Sequence, residues 1–119
     1  MSKIKLKSEA ERLGVSKEKN AEYAAKLSKM INCKTVWTLR GEHSDEFARF
    51  YALLDELFPR LTERAKRLTF GGGCFVYIIE GKDAKRNVML MSHHDVVEGG
   101  EGWDSDPFTA TQRDGYLYV

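Results

Sequence analysis

Residues 87–95 read Asn87-Val88-Met89-Leu90-Met91-Ser92-His93-His94-Asp95, and this stretch decides the fold class. Its centre, residues 88–91, is apolar at every position, so an extended chain would put hydrocarbon on both of its faces. The pattern predicts an interior strand of a covered sheet. A polar link, residues 82–86, connects it to residues 74–80, which are rich in β-branched and aromatic side chains and predict another strand. Gly71-Gly72-Gly73 leads into that strand and reads as a flexible hinge.

Upstream, the apolar period changes from two to three and four. Tyr23, Ala24, Leu27, Met30 and Ile31 fall on one face of a helix over residues 16–31, capped by Ser16 or Asn20. A link containing Thr35, Val36 and Trp37 follows. A second helix starts near Ser44, where the hydroxyl is a suitable cap and Asp45 and Glu46 suit the positive end of the dipole. Phe47, Phe50, Tyr51, Leu54, Leu57 and Phe58 form its buried face. Pro59 ends it or opens a short continuation through Leu61 and Ala65. Downstream, Asp114-Gly115 lies between residues 108–111 and 116–119 and predicts a hairpin. The chain stops inside the second hairpin strand without a breaker, which predicts a cut rather than a natural end.

The expected fold class is therefore α/β: N-terminal helices packed on a partial mixed β-sheet, with residues 1–70 mainly helical and 71–119 strands and hairpin. At 119 residues the chain has the size of one small domain, able to bury roughly two-thirds of its unfolded surface. Apolar residues make up 42% and charged residues 31%, the balance of an ordinary globular chain. Nineteen Lys and Arg against eighteen Asp and Glu leave a net charge of +1, so no broad positive field recommends a nucleic-acid partner. Cys33 and Cys74 are far apart and lack a Cys-x-x-Cys neighbour, which predicts reduced thiols. No signal peptide or membrane-spanning run is present, and a cytoplasmic location without membrane association is the expectation.

The chemistry concentrates at His93 and Asp95. In a strand, positions i and i+2 share a face, so these two point one way and His94 the other. A metal-binding imidazole commonly gives its second N–H to a carboxylate, which fixes the tautomer and raises basicity. Asp95 suits that role, or steers the ring from the same face. Their place beyond a buried strand also favours a site. The ordinary reading of a strand-end histidine is a hydrogen-bonded surface residue, and the pair alone is a weak signal. The apolar strand before it, and Trp103, Asp106, Pro107 and Phe108 after it, strengthen the signal. His94 and His43 read as structural. Cys74, with no base beside it, reads as a buried structural thiol. The glycine triplet lacks the Lys-Ser/Thr of a phosphate loop.

Taken in order, Leu57-Phe58-Pro59, the glycine triplet, the apolar run into His93-His94-Asp95-Val96-Val97, Gly102-Trp103, Asp106-Pro107-Phe108 and Asp114-Gly115 resemble a di-zinc metallopeptidase family. That family includes carboxypeptidase S, aminoacylase and succinyl-diaminopimelate desuccinylase, and the likeness is closest to the carboxypeptidase S-like branch. It runs from about residue 20 onward. Glu98 departs from the pattern, since the family usually has proline there.

The resemblance implies that His93 is a ligand of one zinc and that Asp95 is the catalytic aspartate supporting it. It implies two zinc ions in the complete enzyme, with a bridging aspartate, a general-base glutamate and a second histidine beyond Val119. The substrate class would be small peptides or N-acyl amino acids, cleaved at an amide bond. Catalytic zinc needs about three protein ligands, so the 119 residues alone are expected to bind zinc weakly or not at all and to be inactive. The rival expectation is a non-catalytic piece that pairs with itself, or with the rest of its enzyme, through an open sheet edge.

Overall fold

The computed structural model describes residues 3–5, 14–37, 45–71 and 73–119. The chain divides into two compact units: Met1–Lys34 with Val97–Val119, and Thr35–Val96.

In the first unit, helix α1 (Lys17–Ile31) begins where Ser16 accepts a hydrogen bond from the Lys19 N–H at 3.1 Å. Of the two caps the sequence offers, Ser16 is the one used, since its extended backbone turns the hydroxyl back over the first turn. Ala24 and Cys33 are buried; Tyr23, expected on the same apolar face, is exposed. Three short strands form an antiparallel sheet: β1 (Lys3–Lys5), β4 (Thr111–Arg113) and β5 (Tyr116–Tyr118), with β5 in the middle. The hairpin turn is the expected Asp114-Gly115, both residues at positive φ, 53° and 79°. That is the backbone a two-residue hairpin with the twist of its strands requires. Leu117, on the central strand, is fully buried.

The second unit holds helices α2 (Asp45–Leu57) and α3 (Pro59–Arg64) and a hairpin of β2 (Lys66–Phe70) with β3 (Cys74–Ile78). Phe47, Phe50 and Leu57 are buried at the expected spacing. Pro59 sits in the first turn of α3, where its missing N–H costs nothing. Ser44 and His43 lie outside the described residues. Strand β2 was not anticipated: Ala65 turns extended, and the next five residues pair with β3 from Lys66↔Ile78 to Phe70↔Cys74. Gly71 and Gly73, expected in a hinge, instead flank the turn of this hairpin. Gly73, at φ 83°, supplies the left-handed residue that returns the chain to the ladder. On one face of this hairpin Phe75 and Tyr77 alternate inward, and Arg67 reaches Asp55 of α2 at 2.9 Å. On the other face Phe70, Val76 and Ile78 are exposed.

The α/β expectation holds, in the form of two small antiparallel sheets. The interior strand over residues 87–92 does not form. The segment joins no ladder among the described residues, and Val88 and Leu90 are 88% and 92% exposed. Its apolar pattern asks for a strand on either side and a cover on both faces, and no described element occupies those places. Cys74 also departs from expectation, being exposed: the register places it on the open face of the hairpin with Val76 and Ile78. No described helix is long and apolar enough to cross a membrane.

Candidate functional site

The site is built within the second unit, where residues 94–96 meet residues 35–37. Val96 bridges Val36 in parallel: its N–H donates to the Thr35 carbonyl at 2.9 Å, and its carbonyl accepts from the Trp37 N–H at 3.2 Å. The buried Thr35 hydroxyl also donates to the His94 carbonyl at 2.5 Å. These three bonds hold the backbone of residues 94–96, and alternation along it sends His93 and Asp95 one way and His94 the other.

The structure brings His93 and Asp95 together. Nδ1 of His93 lies 3.0 Å from the Asp95 carbonyl oxygen and 3.3 Å from carboxylate Oδ1. Both oxygens only accept when the carboxylate is ionised, so the neutral ring carries its proton on Nδ1 and leaves Nε2 bare. The His93 side chain is 85% exposed, so that nitrogen is open to a ligand from solution. A recess of about 400 Å³ adjoins the pair, lined among others by Trp37, Cys74, Phe75 and Ser92. Among the described residues no group of three or more His, Cys, Asp or Glu is gathered to hold a metal ion. The donor set therefore fits one ligand of a zinc site and does not complete it.

His94 occupies an aromatic box. Its ring stacks on Phe50 at 5.1 Å and 10° and on Phe75 at 5.8 Å and 23°, and meets Phe47 and Tyr51 edge-on. Burial lowers its pKa from the ordinary imidazole value, opposed by the Asp95 charge. Sequence reasoning set His94 aside as structural. It gave no hint of the box, because Phe47, Phe50 and Tyr51 come from a helix more than forty positions upstream.

The motifs that follow turn out to build a loop within residues 97–119. The Trp103 indole N–H donates to the Gly99 carbonyl. Asp106 accepts from the Phe108 N–H at 2.9 Å and the Thr109 hydroxyl at 3.0 Å, which together hold its carboxyl below the usual range. A Cβ added at Gly99 would sit 2.7 Å from Cγ of Pro107. Gly99→Ala is thus expected to destabilise by about 1–3 kcal/mol through overpacking against a rigid ring, seen as a lower thermal midpoint. An unchanged midpoint would show that the loop yields freely.

The sequence is similar over 93 residues, 78% of the chain, to succinyl-diaminopimelate desuccinylase of Nautilia profundicola, with 58% identity covering 23% of that protein. Over 32 residues, 27% of the chain, it is 69% identical to succinyl-diaminopimelate desuccinylase of Sulfurimonas denitrificans, covering 9% of it. Over 74 residues, 58% of the chain, it is 34% identical to an N-fatty-acyl-amino acid synthase/hydrolase of Danio rerio, covering 14%. The chain spans less than a quarter of the length of these curated relatives. No family model and no solved structure matches it.

Proposed function

Since the chain belongs to the peptidase and aminoacylase family that includes succinyl-diaminopimelate desuccinylase, we propose that it contributes His93 and Asp95 to a zinc-dependent hydrolase acting on amide bonds of N-acyl amino acids or small peptides. The observation that carries this reading is the His93–Asp95 contact, which leaves Nε2 of an exposed imidazole unprotonated. His93 would hold one zinc through that nitrogen. Asp95 keeps the ring in the tautomer a ligand needs and fixes its orientation. Zinc, when bound, supplies Lewis-acid activation of water and of the scissile carbonyl. The names of the relatives, one a desuccinylase and one a hydrolase of fatty-acyl amino acids, favour an acylated amino acid as substrate.

On this reading the 119 residues alone do not turn over substrate, because one imidazole and its supporting carboxylate fall short of about three protein ligands. Calorimetric titration with zinc is the test. Weak binding should disappear in His93→Ala, and N-succinyl or N-acyl amino acids should remain intact in the presence of the chain. Equal zinc affinity in the variant would remove His93 from the site, and zinc-dependent hydrolysis by the unmodified chain would overturn its inactivity. The location proposed is the cytoplasm, with neither membrane nor nucleic acid as partner.

A second reading rests on a separate observation, the exposure of residues 88–91 and of the outer face of the β2–β3 hairpin. The chain would then act as a self-associating piece, with or without catalysis in a larger assembly.

A further inference from the structure

We propose that His94 is a positioning residue: held as its Nε2–H tautomer by the Tyr51 hydroxyl, it fixes the backbone that presents His93 and Asp95. The inference rests on the reading of His93 as a ligand only for its consequence in zinc binding; the proton positions stand without it.

The argument is a count of hydrogens. Tyr51 has one hydroxyl proton. Its oxygen lies 2.9 Å from the Gly73 carbonyl, which can only accept, so the proton is committed there. The same oxygen lies 3.2 Å from Nε2 of His94. That contact needs a hydrogen, and the ring is its remaining source. His94 therefore carries its proton on Nε2 and leaves Nδ1 bare, while His93 carries its proton on Nδ1 and leaves Nε2 bare. Adjacent imidazoles hold opposite tautomers, each set by the partner of the protonated nitrogen.

The two are mechanically linked. One acceptor of the His93 ring is the carbonyl of Asp95, within the stretch whose backbone Thr35 holds at the His94 carbonyl and the Val96 N–H. The His94 ring is the only side chain of that stretch seated among four aromatic rings. Through Gly73 the same hydroxyl ties the β2–β3 loop to this anchor. Loosening the ring frees the peptide planes on either side of it, and the Asp95 carbonyl can then leave His93 Nδ1.

Long-range proton–nitrogen correlation spectra of the full chain, with histidine labelled in nitrogen-15 and the rings neutral, test this directly. The expected result is Nε2–H at His94 and Nδ1–H at His93. In Tyr51→Phe, His94 should become a mixture of tautomers, His93 should lose its Nδ1–H preference, and zinc affinity should fall about tenfold. His94→Gln, which retains a donor near the Nε2 position, should preserve the His93 tautomer, and His94→Phe, which retains the stacking alone, should lose it. This pair also decides the matter if Tyr51→Phe fails to fold. Nδ1–H at His94 in the unsubstituted chain, or a His93 tautomer indifferent to these changes, overturns the inference. Failure of the ligand reading shows elsewhere, as zinc binding unaffected by His93→Ala.

Discussion

Replacing Phe50 with alanine is expected to abolish cooperative folding of the unit Thr35–Val96. Phe50 is buried, faces the His94 ring in near-parallel stacking at 5.1 Å, and meets Tyr51 at 6.2 Å. Truncating a buried phenylalanine costs about 3–5 kcal/mol, because the transfer term and the cavity term add. Folded domains hold only about 5–15 kcal/mol, and small ones sit at the low end. The described core of this unit is thin: Phe47, Phe50 and Leu57 are its buried apolar side chains. Loss of one therefore removes a large share of the buried hydrocarbon of the unit. For a unit of this size each kcal/mol moves the thermal midpoint by about 4–8 °C, so a fall of more than about 12 °C, or no transition, is expected in circular dichroism. Phe50→Leu should cost much less, because it fills most of the space. A Phe50→Ala variant melting within a few degrees of the parent would show that the aromatic box is not the core.

That core was partly legible in the sequence. The three- and four-residue spacing of Phe47, Phe50, Tyr51 and Leu57 is a local property, and it located both the helix and its inner face. Asp114-Gly115 was legible for the same reason, since two residues at positive φ are enough to define the turn. The facing of His93 and Asp95 followed from the two-residue alternation of an extended chain, which survives even without a ladder. What could not be read depends on partners distant in sequence. Residues 66–70 look like a basic tail to a helix until β3 is set against them. Cys74 is exposed because of a pairing register, which its neighbours do not specify. The Tyr51–His94 contact joins positions forty-three residues apart, and no spacing announces it. Residues 88–91 are apolar at every position, but the interior strand expected there does not form, because whether anything covers such a run is a property of surroundings distant in sequence.

The consequence of that uncovered segment is a large expected effect on association. Val88, Met89, Leu90 and Met91 are 80% exposed or more, and Phe70, Val76 and Ile78 add further apolar surface within the same unit. Burying one such side chain is worth about 1.5–3 kcal/mol, and a run that joins no ladder among the described residues offers main-chain N–H and C=O groups as well. A second copy of the chain brings the same run, apolar and unpaired, so two copies can add it edge to edge as antiparallel strands. The net charge of +1 gives little repulsion to oppose this. Light scattering coupled to size exclusion should therefore show a mass that rises with concentration. Val88→Lys with Leu90→Lys places two like charges on one face of the run and should weaken association about a hundredfold or more, since two buried side chains at the quoted worth are lost. Phe70→Lys, on the hairpin face, should weaken it less if pairing runs along residues 88–91, and equally if the apolar faces stack instead. A parent chain that stays monomeric at millimolar concentration would refute edge pairing, because nothing else in the described unit shields that much hydrocarbon from water.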